Sequence, residues 1–342
     1  MTRPTDRLLA PWSAGAAPPR VLVTGGAGFV GSHLTDELLR RGCRVEVVDD
    51  LSTGSLANLA PHANSPRFGL TVASITDPAV ARRAVAAADM VFHLAGVVGV
   101  RRLADAPLAV MQHNLDCTRA LLDAAAEHTV PVLFTSSSEV YGDGPVPFRE
   151  HASVRPGATE GHRGGYACAK AMGEWLAFGH ARQSGLPVIV ARLFNTVGPR
   201  QSGEHGMVLP RFVHQAVAGE PITVYGNGDQ TRCFASVRDV VRALADLAVA
   251  PGAAGRVFNV GSAVETTVLE LAELVRRIAG SSSPIARVPF AEVFPLGFVD
   301  PPRRLPSLER LEATIGWSPS ASLENVIAEM VEVARAGALT GA

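Results

Sequence analysis

The stretch Thr24-Gly25-Gly26-Ala27-Gly28-Phe29-Val30-Gly31-Ser32-His33-Leu34 most limits what this chain can become. It follows an apolar run, Val21-Leu22-Val23, that reads as a short buried strand, and it leads into a helical pattern ending near Arg41. Glycines fall at 25, 28 and 31. A tight turn from strand to helix needs one residue without a Cβ. Close approach of a pyrophosphate to backbone N–H groups needs a second, and close helix–strand packing a third. The helix N-terminus then presents unpaired N–H groups and a positive dipole end to phosphate. The next strand, 44–48, ends at Asp49-Asp50, placed where a carboxylate takes the adenosine ribose hydroxyls of a dinucleotide.

From residue 20 onward short apolar strands alternate with helical stretches. Strands are expected at 20–23, 44–48, 69–72, 90–94, 131–134 and 187–192, with helices at 31–41, 78–87, 107–127 and 166–184. This alternation implies an α/β fold, a Rossmann-type doubly wound parallel sheet with both faces covered. Ligands of such sheets bind beyond the C-terminal strand ends. That rule gathers 25–31, Asp49, 93–96 and 135–141 on one edge. After about residue 195 short elements alternate with Gly, Pro and Arg, as in a smaller C-terminal α/β substrate lobe partly threaded through the first. The expected division is a disordered leader at 1–19, a dinucleotide-binding domain at 20–194 and a substrate lobe at 195–342.

With 342 residues, 47% hydrophobic and 18% charged, the chain has the composition of a soluble globular protein with an ample core. A net charge of −1 gives no electrostatic case for nucleic acid or an anionic membrane. The leader lacks the basic start and apolar core of a signal peptide. The four cysteines are scattered without a CxxC pair and read as reduced thiols, so a cytoplasmic location and no metal are expected. His113, His205 and His214 lack ligand partners at useful spacing.

Two segments carry acid–base chemistry. Thr135-Ser136-Ser137-Ser138-Glu139-Val140-Tyr141-Gly142 directly follows a strand. Tyr166-Ala167-Cys168-Ala169-Lys170 opens a helix and puts Tyr and Lys on one face. An ammonium and a cationic nicotinamide nearby would lower the phenol pKa from about 10, so that the tyrosine removes a proton from a substrate hydroxyl near neutral pH. A Ser or Thr at the strand end would share the bond to the reacting oxygen.

Together these pieces resemble the extended short-chain dehydrogenase/reductase family, in its nucleotide-sugar epimerase/dehydratase branch. The matching segments are 24–31 (TGGAGFVG), 47–54 (VVDDLSTG), 93–96 (HLAG), 135–142 (TSSSEVYG), 166–170 (YACAK), 192–200 (RLFNTVGPR), 220–232 (EPITVYGNGDQTR) and 300–303 (DPPR). The resemblance implies Tyr166 as general base, Lys170 as its partner and Ser137 as the residue bonding the reacting hydroxyl. It implies NAD as cofactor, held by Gly25, Gly28, Phe29, Val30 and Gly31 at the pyrophosphate and by Asp49, Asp50, Ser52, Thr53 and Gly54 at the adenosine. Ser74 and Ile75 lie at the adenine edge, where the family often has Asp before Ile. Leu94, Ala95 and Gly96 line the cofactor, and Asn114 lies beneath it. Asp49 implies NAD over NADP, because a 2′-phosphate would be repelled.

The implied substrate is a nucleotide-diphosphate sugar. Asn195, Arg232 and Arg303 are expected on its diphosphate, Val224 and Tyr225 at the nucleoside wall, and Val98 and Arg211 elsewhere along the substrate. The loop 97–102, with Arg101-Arg102, and the segment 157–165 are expected to select the sugar. His93 and Cys168 are expected to pack.

Glu139 bears on the reaction. Ser138-Glu139 resembles the Ser-Glu of sugar-nucleotide decarboxylases rather than the Asp-Glu of dehydratases, or Glu139 simply orders its loop. Arg232 has a further reading near a sugar carboxylate. The first reading is a nucleotide-sugar 4-epimerase working through a transient 4-keto sugar. The alternative is a UDP-glucuronate decarboxylase using the same oxidation. A dehydratase and a protein that only senses NAD stand behind them. The resemblance also implies a homodimer joined through the helices 107–127 and 166–184.

Overall fold

The computed structural model describes residues 18–99, 105–159, 164–203, 206–293 and 300–337. The expected leader apart from its last two residues, Arg101-Arg102, His205 and the middle of 157–165 lie outside the described residues. The first part of the chain runs β1 (Arg20–Thr24), α1 (Phe29–Arg40), β2 (Arg44–Asp49), β3 (Phe68–Val72), α2 (Pro78–Ala86), β4 (Met90–His93), α3 (Pro107–His128), β5 (Val132–Ser137), α4 (Gly164–Ser184) and β6 (Val188–Leu193). It continues through β7 (Thr196–Val197), α5 (Val208–Ala218), β8 (Ile222–Tyr225), β9 (Thr231–Cys233), β10 (Ala235–Ser236), α6 (Val237–Leu247) and β11 (Arg256–Val260). The last elements are β12 (Glu265–Thr267), α7 (Val268–Ile278), β13 (Ile285–Val288), α8 (Phe290–Val293), α9 (Glu309–Ile315) and α10 (Leu323–Arg335).

Seven strands form one parallel sheet in the order β3-β2-β1-β4-β5-β6-β11. The order reverses between β1 and β4, and the cleft opens beyond the C-terminal strand ends at that point. Alternate side chains along each strand fill opposite faces. Val21, Val23, Val45, Val47, Met90 and Phe92 pack with residues of α1 and α6. Leu22, Val48, Val91, Val132, Phe134, Val188 and Val190 pack with residues of α2, α3 and α4. Burial on both faces explains why the strands read as nearly continuous apolar runs.

The chain returns to this sheet late. β11 pairs with β6 although it lies beyond residue 195, in the stretch expected to form the substrate lobe. Between and after these excursions, α5, α7 and α10 pack around Phe212, Ile222, Leu271 and Ile327 as a separate core. α7 is closed by a capping box in which Thr267 and Glu270 each accept the other's backbone N–H. Short parallel β8–β13 and antiparallel β9–β12 pairs carry the cleft-side loops of this part.

Candidate active site

The turn after β1 is built by its glycines. Gly25 takes φ 71°, and a Cβ there would lie 2.7 Å from the Ala95 nitrogen. A Cβ on Gly31 would lie 2.1 Å from the Gly25 carbonyl oxygen. α1 therefore starts against the end of β1, with Gly28 as its N-cap, no side-chain cap and no acidic residue in its first turn. Such an end offers its N–H groups and dipole to an anion. Asp49, at the end of β2, is 8% exposed. Its carboxylate accepts from the Ala27 N–H at 2.9 Å and the Leu51 N–H at 2.8 Å, fixing the turn and the following loop together. Burial raises its pKa. Asn114 projects from α3 beneath Gly96, its amide nitrogen donating to the Val97 and Val110 carbonyls. Its Oδ1 is buried without a partner. An uncapped helix end, a buried carboxylate at the next strand and an orphaned acceptor under the cleft floor fit a dinucleotide. Gly25, Gly28, Phe29, Val30, Gly31, Asp49, Asp50, Ser52, Thr53, Ser74, Ile75, Leu94, Ala95 and Gly96 all line this end of the cleft.

The cleft, about 450 Å³, runs from there past the ends of β4 and β5 to the second core. Ser137 ends β5, and its Oγ accepts from the Glu139 N–H. Tyr166, one turn before Lys170 on α4, is 8% exposed and lies near the Ser137 side chain. Burial is the largest influence on the phenol and pushes its pKa up; the Ser137 hydroxyl opposes this, and the Glu139 charge adds to it. The expected lowering by a neighbouring ammonium is not what the structure shows. Lys170 Nζ lies 6.0 Å from the centre of the Tyr166 ring and donates to the Thr135 carbonyl at 3.1 Å. Burial brings the Lys170 pKa down to about 8, with Cys117 and Glu174 opposing. The ammonium is thus spent on a backbone carbonyl, and desolvation governs both groups.

Glu139 faces the cleft and is gripped by Arg304, which donates from both Nη atoms; the Nη2–Oε2 bond is 2.9 Å. Burial lowers the Arg304 pKa and the Glu139 charge more than restores it, with a net rise. The sequence reading missed Arg304 and chose its neighbour. Arg303 does not line the cleft; its half-exposed side chain pairs with Glu265, Nη2 to Oε2 at 2.6 Å. Two adjacent arginines in a stretch without periodicity gave no signal for which turns inward. Antiparallel β12 brings Glu265 next to Cys233 at the rim and thereby claims Arg303.

Asn195, Arg211, Tyr225 and Arg232 also line the far end, and Val98 the near wall. Arg232 donates to the Thr231 carbonyl at 2.7 Å and the Pro301 carbonyl at 3.0 Å, and it pairs with Asp300 at 2.6 Å. The Arg211 guanidinium lies 3.8 Å from the Tyr225 ring centre and donates to the Thr223 carbonyl, while its Nε is buried without a partner. Gln201, which sequence reasoning did not single out, lines the cleft with a buried and unpartnered Oε1. Three other expected site residues stand off the cleft. Val224 is wholly buried in the second core. Gly54 packs on Ala27 and Asp49. Asn114 lies behind Gly96. His93 is buried, its Nδ1 2.8 Å from Thr24 Oγ1 and its Nε2 3.3 Å from Thr118 Oγ1, and burial lowers its pKa to about 3. Cys168, expected to pack, is exposed on α4.

Comparison with known proteins gives the same frame. Over 315 residues, 92% of this chain and 97% of the other, the sequence is 39% identical to a UDP-N-acetyl-alpha-D-glucosaminuronate decarboxylase of Bacillus cytotoxicus. It is 36% identical to UDP-glucuronic acid decarboxylase 1 of Arabidopsis thaliana, covering 91% of this chain and 69% of that one. The structure superposes on a UDP-glucose 4-epimerase of Thermotoga maritima with a TM-score of 0.83 at 30% identity, over 93% of this chain and 99% of that one. The model of the NAD dependent epimerase/dehydratase family matches residues 21–261, and the chain belongs to that family.

Proposed function

We propose that this enzyme oxidises a nucleotide-diphosphate hexuronate at C4 and then decarboxylates it. The carrying observation is the Glu139–Arg304 ion pair, which lines the cleft beside Ser137 and Tyr166. What supports this reading over the 4-epimerase expected first from the sequence is that pair, together with the likeness to decarboxylases at 39% and 36% identity.

Bound NAD would supply the hydride acceptor and donor for C4, and the Gly25–Gly31 backbone and Asp49 would hold it over a floor shaped by Gly96 and Asn114. Tyr166 takes the proton of the C4 hydroxyl as a phenolate, the form that the cationic ring of bound NAD would favour against burial, while Ser137 bonds the same oxygen and keeps the sugar in reach. Oxidation at C4 makes the sugar a β-keto acid. The C5–C6 bond then breaks, CO₂ leaves, and its electron pair moves into the enolate of the 4-ketone. Arg304 receives the C6 carboxylate, since a guanidinium pairs both oxygens of a carboxylate, as it already does with Glu139. Glu139, displaced from Arg304 by that carboxylate, takes a proton from solvent and passes it to C5, and Tyr166 returns its own proton to the C4 oxygen when the ketone is reduced. Asn195 and Arg232 hold the diphosphate, and the Arg211–Tyr225 stack the nucleoside.

A 4-epimerase is the second reading, favoured by the likeness to the Thermotoga enzyme. Incubation of the holoenzyme with UDP-glucuronate and UDP-N-acetylglucosaminuronate separates the two. Release of CO₂ with a pentose nucleotide supports decarboxylation; an uronate epimer without CO₂ overturns it. The proposed assembly is a homodimer. Leu108 on α3 and Met172 and Trp175 on α4 are 64%, 50% and 63% exposed, an apolar face that a second copy would cover. Sedimentation of Trp175→Glu should give monomers where the unmodified chain gives dimers.

A further inference from the structure

Behind the groups that face the cleft, and reaching its wall only at Ser136, lies a second polar cluster that the proposed chemistry does not use. Glu174, on α4, is 5% exposed, and Arg192, on β6, is 4% exposed. Arg192 grips Glu174 with two parallel bonds, Nε to Oε1 at 2.9 Å and Nη2 to Oε2 at 2.6 Å. Ser136, on β5, donates to Glu174 Oε1 at 2.5 Å. The Arg192 guanidinium lies 4.7 Å from the Tyr141 ring centre. The Tyr141 hydroxyl donates to Asn259 Oδ1 at 2.7 Å, and Asn259 Nδ2 donates to the Phe148 and Ser307 carbonyls. One connected set of buried contacts thus joins α4, β5, β6, β11 and the segment after Arg304.

Its members sit beside the reacting groups in sequence. Ser136 precedes Ser137. Glu174 is one helical turn beyond Lys170, itself one turn beyond Tyr166. Tyr141 closes the short turn that carries Glu139. Ser307 follows Arg304 by less than one turn of chain. A buried ion pair is a poor device for stability alone, because apolar residues of the same volume avoid its desolvation cost. What it adds is direction. The planar fork accepts one rotation of α4 against β6, whereas a greasy contact tolerates several. Misplacement of a reacting group by about 1 Å costs on the order of 100-fold in rate.

We propose that Glu174 and Arg192 are positioning residues for the reaction, setting α4 against β5 so that Tyr166 stays beside Ser137 and Lys170 on the Thr135 carbonyl. The proposal rests on the C4-oxidation reading of this site, the step common to the epimerase and the decarboxylase.

Three holoenzyme variants test it: Ser136→Ala, Glu174→Gln, and the double replacement Glu174→Leu with Arg192→Met. Turnover is scored as whichever product the unmodified enzyme makes, epimer or pentose, so failure of the decarboxylase reading leaves the test intact. The double variant removes both charges and should melt near the unmodified enzyme. Its kcat should nevertheless fall by roughly 10- to 100-fold, the scale of a small misplacement of reacting groups, with KM changed less than about twofold. Ser136→Ala leaves both charges in place, keeps the fold even if the double variant does not, and should show a smaller loss with the same split; Glu174→Gln strands the buried Arg192 guanidinium, should also lose stability, and is scored on its folded fraction. Folded variants with unchanged kcat, or losses carried in KM, would overturn the proposal.

Discussion

Arg304 and Glu139, 165 residues apart in the chain, meet across the cleft in a two-bonded ion pair. Arg304 is 8% exposed at its side chain and Glu139 25%. The pair places a guanidinium and a carboxylate beside Tyr166, in the proposed path of a uronate's C6. Arg304→Met removes the cation and strands the carboxylate. Because Glu139 keeps a quarter of its surface in solvent, the stability loss should stay below the range for fully buried pairs, on the order of 2 kcal/mol. Denaturant titration measures it. In rapid-mixing assays the variant should still oxidise the sugar, seen as absorbance of the reduced nicotinamide, while CO₂ release drops by at least about 10-fold, the effect of removing roughly 1.4 kcal/mol of transition-state stabilisation. Equal loss of both steps argues against a role specific to the carboxylate.

Tyr166→Phe deletes one oxygen from a side chain that is 8% exposed and lies near Ser137. The ring still fills its space. NAD binding, followed by fluorescence titration, should be unchanged, and kcat should fall by roughly 10²- to 10⁴-fold, the range for a lost general base. Retained turnover would remove Tyr166 from the proton transfer.

Gly31→Ala tests the turn. Its Cβ would fall 2.1 Å from the Gly25 carbonyl oxygen, a backbone atom with no room to yield. NAD affinity should drop by at least about 10-fold, equivalent to roughly 1.4 kcal/mol. Calorimetry with purified apoprotein checks it; unchanged affinity would mean that the helix start is not fixed by this contact.

Lys170 gives a pH signature. Burial lowers its pKa from 10.5 to about 8. Between those values the unfolded chain holds the proton and the folded chain does not, so stability rises with pH through that window. Below about pH 8 the whole cost is present, roughly 3 kcal/mol, less about 1 kcal/mol for the Thr135 hydrogen bond. Cofactor-free Lys170→Met should therefore be more stable than the unmodified chain at pH 7 by about 2 kcal/mol, with the gap closing as pH rises toward 10.5, although it loses activity. Urea unfolding at several pH values reads this directly. A less stable variant at pH 7 would contradict it.

What the sequence disclosed followed range. The turn at Gly25–Gly31 and the Tyr166–Lys170 pair are local, and helix and strand geometry fix them wherever the pattern occurs. The parallel sheet was legible because both its faces are buried, so β1, β4 and β5 read as apolar runs. β11 was not legible as the sheet's edge, since its partner β6 lies far upstream. The choice between Arg303 and Arg304 depended on β12 bringing Glu265 to the rim, a contact no spacing encodes. Spacing places the Lys170 ammonium near Tyr166 but does not show that it is turned to the Thr135 carbonyl or that burial is the largest influence on the phenol.

The measurement closest to the central proposal is the product of the holoenzyme on UDP-hexuronates, read by NMR and mass spectrometry with trapped CO₂. One CO₂ for each nucleotide sugar consumed, with a UDP-pentose as product, is the expected result. A 4-epimer of unchanged mass with no CO₂ would contradict the role given to Arg304 and Glu139.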